Sequence, residues 1–259
     1  MFREYKNMYL IIFAVIVPFI GIVYYQKQKI KKKLSKELFE SLVWPPLSNP
    51  QFKIQEFLEQ KADPNFFYEN RPEKNTPLCD AAYHHQTNNI KLLLQYKADI
   101  NKSDKLNKTP LIYSLSHYED DLDEINMLLE KKANTNHADY KGDTAFIHVL
   151  KEGQTSNDFT LTILKQLLKY NANPLHTNFK NKSALTIAKQ LKYEPPIIEF
   201  LTTIEQQEKE KQFQAIKRII FCSLFAKATH RKNEHFKKLS EMELFDRNVI
   251  ERGILPFLK

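Results

Sequence analysis

The stretch that decides the fold reads Thr76-Pro77-Leu78-Cys79-Asp80-Ala81-Ala82, resumes as Ile90-Lys91-Leu92-Leu93-Leu94, and closes on Lys97-Ala98-Asp99-Ile100-Asn101. Leu78, Ala81 and Ala82 fall at i, i+3 and i+4, as do Ile90, Leu93 and Leu94, so the spacing predicts two successive amphipathic helices. Thr76 places a hydroxyl at the N-cap, and Pro77, which has no N–H to leave unpaired, suits the first helical position.

Outward from this stretch the same pattern is written five times. First helices carry Phe39, Leu42, Val43; Leu78, Ala81, Ala82; Leu111, Ser114, Leu115; Phe146, Val149, Leu150; and Leu185, Ala188, Lys189. Second helices carry Ile54, Phe57, Leu58; Ile90, Leu93, Leu94; Ile125, Leu128, Leu129; Leu164, Leu167, Leu168; and Ile197, Phe200, Leu201. Leu94 to Leu111, Leu129 to Phe146 and Leu168 to Leu185 each span 17 positions. Unrelated amphipathic helices would not keep that register, and a stacked array of helix pairs follows. Thr109-Pro110-Leu111 repeats the proline cap, whereas Thr144 and Ser183 keep the hydroxyl and drop the ring.

These residues resemble the ankyrin repeat. The likeness lies in Thr-Pro-Leu, in the Ile-x-x-Leu-Leu second helix, and in the exits that hold Ala62, Ala98, Ala133 and Ala172. It implies an all-α solenoid of about five helix pairs joined by short finger turns. The family usually places glycine just before that alanine and again between the helices, but here Lys61, Lys97, Lys132 and Asn171 precede it. A side chain forced into a left-handed cap costs on the order of 1 kcal/mol, least for Asn. The family's histidine after Thr-Pro-Leu is replaced by Cys79, Ile112, Ile147 and Thr186, which removes a customary polar tie between repeats.

The resemblance further implies binding of another protein through the finger tips and the exposed side of the first helices. Those finger places are Lys105, Leu106, Lys108; Tyr140, Lys141, Asp143; and Phe179, Lys180, Lys182. The helix places are Tyr83, His84; Ser116, His117; Lys151, Glu152; and Gln190, Leu191. Exposed aromatic residues anchor interfaces, so Tyr83, Tyr140, Phe179 and, in the longer first finger, Phe67 and Tyr68 lead this set.

Between Lys6 and Lys27 lie 20 uncharged residues. At about 1.5 Å each they would reach about 30 Å, the thickness of a bilayer's hydrocarbon. A single membrane span over Met8 to Tyr25 is expected, with Tyr9, Tyr24 and Tyr25 in the interfacial belts and Pro18 and Gly21 tolerated within it. A buried core helix or a cleaved signal is the alternative, although Val23-Tyr24-Tyr25-Gln26 offers no small-residue cleavage site. Lys27, Lys29, Lys31, Lys32 and Lys33 outnumber Arg3 and Lys6, which assigns the repeats to the cytoplasmic side and gives the flank an affinity for anionic lipid. The expected division is a span over 1–26, a basic linker over 27–33, repeats over 34–204 and a helical extension over 205–259. In that extension Phe213, Ile216, Ile220 and Leu224 form the stripe of a helix expected to cap the stack.

A hydrophobic fraction of 42% beside 27% charged residues is that of a folded chain. The net charge of +8 does not belong to the repeats: residues 1–33 contribute +6 and 204–259 contribute +4, which leaves the array at −2. Nucleic acid is therefore not the expected partner. With 4 glycines there is no phosphate-cradling loop, and the two cysteines, Cys79 and Cys222, read as free thiols. His84 and His85, adjacent on a helix, diverge by about 100° and make no metal pair. No catalytic constellation, metal site, cofactor or small-molecule substrate is expected. The reading is a membrane-anchored scaffold that binds a protein partner. The alternatives are an exported or cell-surface effector, and an adaptor that recruits a second partner through Leu239 to Lys259.

Overall fold

The computed structural model describes residues 17–43, 50–68, 75–116, 122–152 and 156–229. Within them are ten α-helices and no strand, only an isolated bridge between Thr177 and Ser183. They are α1 (Val17–Val43), α2 (Pro50–Glu59), α3 (Pro77–Tyr83), α4 (Thr87–Gln95), α5 (Pro110–Ser114), α6 (Asp123–Glu130), α7 (Ala145–Glu152), α8 (Asn157–Lys169), α9 (Ala184–Gln190) and α10 (Pro195–Thr229). The chain divides into two compact units, residues 1–194 and 195–259.

In the first unit α1 packs on α2, α3 on α4, α5 on α6 and α7 on α8. The first helices also stack on one another, α3 on α5, α5 on α7 and α7 on α9. The residues that set the sequence register form the core: Phe39, Leu42, Ile54, Leu78, Ile90, Leu93, Leu111, Ile125, Phe146 and Leu164 are all buried. None of these pairs could hide its apolar face alone, so each repeat depends on its neighbours.

The caps explain where the helices begin. The hydroxyls of Thr76, Thr109 and Ser183 accept from the backbone N–H of Cys79, Ile112 and Thr186 at 3.2, 3.4 and 3.3 Å. Thr144 differs from its expected role: its hydroxyl is buried without a partner, and only its carbonyl, which accepts from Ile147 and His148, starts the helix. The exits adopt the expected left-handed turn, with φ of 68° at Lys61, 66° at Lys97 and Lys132, and 62° at Asn171. His85, between α3 and α4, and Lys192, just after α9, adopt the same conformation, at 52° and 59°.

The lost histidine ties are replaced by an asparagine ladder along the exits. Asn65 Oδ1 accepts from Asp99 N at 2.6 Å, Asn101 Oδ1 from Asn134 N at 2.7 Å, and Asn136 Oδ1 from Asn173 N at 2.7 Å. Asn65 and Asn136 also donate to the carbonyls of Lys97 and Asn171, the residues in left-handed turns. His85 Nε2 lies 3.1 Å from Ser116 O, and the Tyr193 hydroxyl donates to Leu150 O at 2.9 Å.

The expected membrane span is corrected. Among the described residues no helix is long and apolar enough to cross a membrane. Met8 and Tyr9 lie outside those residues. Pro18, Gly21, Tyr24 and Tyr25 lie on α1. The same helix then runs unbroken through Lys27, Lys29, Lys31, Lys32 and Lys33, the expected linker, into the first repeat. Lys31 faces Asp63 at 3.5 Å and Lys33 faces Glu37 at 3.8 Å, so two of the expected lipid-binding lysines have partners in the fold.

The second unit contains α10, 35 residues long. The charged stretch from Glu205 to Lys211 stays helical because Lys209 pairs with Glu205 and Lys211 with Glu208, each at 2.6 Å. Leu239 to Lys259, the expected tail, lies outside the described residues, as do Trp44 to Pro46, Glu119 to Asp121 and His117.

Candidate functional site: the finger edge

Three fingers, at 102–109, 137–144 and 176–183, share one construction. In each, a backbone N–H donates across the turn: Asp104 to Lys108 O, Asp139 to Asp143 O and Asn178 to Lys182 O, at 3.0, 3.0 and 3.1 Å. The side chain at that same position fastens the turn from inside. Asp104 Oδ1 accepts from Lys108 N at 2.6 Å, Asp139 Oδ1 from Lys141 N and Asp143 N at 2.8 and 2.9 Å, and Asn178 Oδ1 from Lys180 N and Lys182 N at 3.0 and 3.1 Å. The turn requires a left-handed residue, supplied by Asn107, Gly142 and Asn181.

Adjacent fingers are bonded through their backbones. Tyr140 N donates to Leu106 O at 2.9 Å, and Phe179 N donates to Lys141 O at 3.1 Å. Gly142 has no substitute here, since a Cβ on it would lie 2.7 Å from Phe179 N. The tips are therefore joined in a row, and each bears one lysine beside one apolar residue: Lys105 with Leu106, Tyr140 with Lys141, Phe179 with Lys180.

Beneath the tips sits a buried polar layer that the sequence reading passed over. The Tyr113 hydroxyl donates to Asp104 Oδ2 at 2.7 Å, and His148 Nε2 lies 3.1 Å from Asp139 Oδ2. Asp143 accepts from Asn178 Nδ2 of the next finger at 2.8 Å and pairs with the Lys151 ammonium. Burial pushes the Asp104 carboxyl up, and the Tyr113 hydroxyl offsets only part of that. Burial acts on Asp139 in the same sense, yet the His148 hydrogen bond, the two backbone N–H groups and the imidazole's charge outweigh it and hold the carboxyl below its ordinary range. Asp139, Asp143 and His148 bring their ligand-type atoms within 4.8 Å of one another, and all three are buried. Their carboxylates are already engaged by backbone, Asn178, Lys151 and His148, so the cluster is a hydrogen-bonded brace of the finger. A signal for it was present: an Asp followed nine positions later by a polar residue, at 104 and 113 and again at 139 and 148.

The expected binding residues divide into three groups. Phe179, Tyr140 and Tyr83 are 77%, 48% and 46% exposed. Lys105, Lys141, Lys151, Lys180 and His84 are exposed as well, with Leu106, Lys108 and Lys182 half-buried. Lys141 lies 5.1 Å from the Tyr140 ring centroid, and contact with the Tyr140 hydroxyl holds its ammonium above the ordinary lysine range. Phe67 and Tyr68 are half-buried, and Tyr68 stacks on Phe39 at 4.8 Å, so that ring serves its own fold. Ser116 and Asp143 are 6% and 1% exposed and do not present their side chains at the surface. Asp143 belongs to the brace, and Ser116 Oγ turns back to Ile112 O. Tyr83 meets both His84 and Tyr113 edge-on, at 5.0 and 5.7 Å, which fixes its ring while leaving a face open. Cys79 is a free, buried thiol whose pKa burial pushes up to about 12.

A family model for ankyrin repeats, in three copies, matches residues 48–139. The chain is also similar to the serine/threonine-protein kinase VIK of Arabidopsis thaliana, 32% identical over 87 residues, which is 34% of this chain and 19% of that protein. It thus spans about a fifth of that curated relative, and the likeness is one of repeats. Ankyrin repeats are a non-catalytic protein–protein interaction module.

Proposed function

We propose that this chain is a scaffold which binds another protein through the finger tips and the open side of its first helices, and that it performs no catalysis of its own. The observation that carries the reading is the pair Tyr140 and Phe179. Two large rings stand exposed at successive tips, and their backbones are bonded to the finger before. Rigid exposed aromatics lose little entropy on binding and supply large contact areas, which is how interface anchors act. Lys105, Lys141, Lys180 and Lys182 flank them, with Tyr83, His84 and Lys151 on the helices behind. The repeats over 34–204 form the binding domain in this reading, and 205–259 an extension to it.

The test is a Tyr140→Ala, Phe179→Ala double variant in affinity capture with the full chain as bait. Both side chains are exposed, so the variant should keep the helical circular dichroism and melting temperature of the parent while losing partners that the parent retains. Unchanged capture by a folded double variant would sink the proposal.

A further inference from the structure

The repeat array is slightly acidic as a whole, yet the three described fingers, 102–109, 137–144 and 176–183, expose charge of one sign only. Every carboxylate in the three fingers, Asp104, Asp139 and Asp143, is buried and consumed by the turns or by the brace beneath them. The lysines at the tips, Lys105, Lys141 and Lys180, are exposed, and among the described residues none of the three makes an ion pair. Net charge summed over the array hides this segregation, because at these three fingers the acids are buried while the tip lysines are exposed.

We propose that the partner presents an acidic stretch in which carboxylates are interspersed with aromatic or large aliphatic side chains, and that it lies along the row of tips. The inference rests on the reading of the finger edge as the protein-binding surface. Each tip offers one ammonium and one apolar side chain at adjacent positions, and the inter-finger hydrogen bonds repeat that pair from tip to tip. Carboxylates meet Lys105, Lys141 and Lys180, while apolar groups meet Leu106, Tyr140 and Phe179. Charge complementarity of this kind sets partner choice and speeds encounter, and the rings supply the residence time. Tips that alternate charge with apolar surface suit a peptide better than a nucleic-acid backbone, whose affinity would rest on the lysines alone.

The experiment pans a displayed library of random peptides, about twelve residues long, on the full chain. Two variants run in parallel: Lys105→Glu with Lys141→Glu and Lys180→Glu, and Tyr140→Ala with Phe179→Ala. Enriched peptides should carry net negative charge and at least one aromatic or large aliphatic residue. A labelled selected peptide should bind the charge-reversed chain at least tenfold more weakly, with helical content preserved. If the enriched peptides lack an acidic excess, and their binding falls with the aromatic variant but not with the charge variant, the acidic partner is overturned while the scaffold stands. If no peptide is enriched, or only a single-stranded oligonucleotide or a phosphatidylserine vesicle binds in a lysine-dependent way, both are overturned.

Discussion

His148 Nε2 stands 3.1 Å from Asp139 Oδ2, at the place where, one repeat earlier, the Tyr113 hydroxyl reaches Asp104. One scaffold position thus holds two buried carboxylates with opposite displacements: at Asp104 burial outweighs the Tyr113 hydroxyl, the backbone N–H groups and the Lys108 charge, whereas at Asp139 the His148 hydrogen bond, the backbone N–H groups and the imidazole's charge outweigh burial.

The two should respond differently to Asp→Asn. Asp139→Asn removes the group that His148 and two N–H donors hold ionised, and should destabilise the array by about 1–3 kcal/mol. Asp104→Asn removes a charge that burial disfavours and installs the residue that the third finger already uses as Asn178, so its cost should be about 1 kcal/mol or less. The pH profiles should diverge as well. The Asp139 contribution is full above the unfolded carboxylate value of about 3.9 and is lost as pH falls through its lower folded value. The Asp104 penalty instead grows as pH rises from about 3.9 through its raised folded value. Urea titrations of both variants from pH 3 to 7 read these slopes directly.

Gly142→Ala should destabilise by about 1–3 kcal/mol, since it adds a Cβ at φ +78° that meets the backbone N of Phe179 at 2.7 Å. The expected signature is local as well as global: amide exchange at Phe179 should quicken, because the clash falls on the donor of its bond to Lys141. Asn107→Ala strains the turn without that close approach and should cost less.

Lys97→Gly and Lys132→Gly should each stabilise the array by about 0.5–1 kcal/mol, because both lysines occupy φ 66°. Asn171→Gly should gain less, as Asn tolerates this conformation better than lysine does. Thermal melts of the single variants would rank them. Equal gains at all three would contradict this account of the exits.

Cys79 should resist alkylation in the folded chain. Its side chain is buried, and a pKa of about 12 leaves almost no thiolate at pH 8. In a Cys222→Ser background, the rate of labelling by iodoacetamide should follow the opening of α3 measured by amide exchange and rise in step with denaturant.

The helix pairing was legible because Leu78, Ile90, Leu111 and their counterparts are apolar, periodic and buried for one reason, and Thr76 and Thr109 mark helix starts by a local mechanism. The brace was not, because Tyr113 and His148 sit inside otherwise apolar helices, where a polar residue shows no partner until the finger folds back over it. The asparagine ladder was hidden for a similar reason: Asn101 is an ordinary turn residue until the next exit arrives above it. Asp143 occupies a finger position that suggests exposure, but Asn178 and Lys151 draw its carboxylate inward. At the N-terminus an uncharged run was counted as a span, whereas among the described residues no helix is long and apolar enough to cross a membrane, and α1 continues through the lysines into the first repeat.

The rungs of the ladder join residues 34, 33 and 37 positions apart, yet their lengths differ by only 0.1 Å. Sequence length can therefore change on one side of a repeat while the other side keeps its spacing, as the longer stretch between Phe146 and Leu164 does already. Such a chain separates a margin open to insertion from a margin bound by alignment. Duplicating or deleting a whole unit would return every asparagine to a neighbour of the same kind, so this architecture permits growth by copying without redesign at the seams.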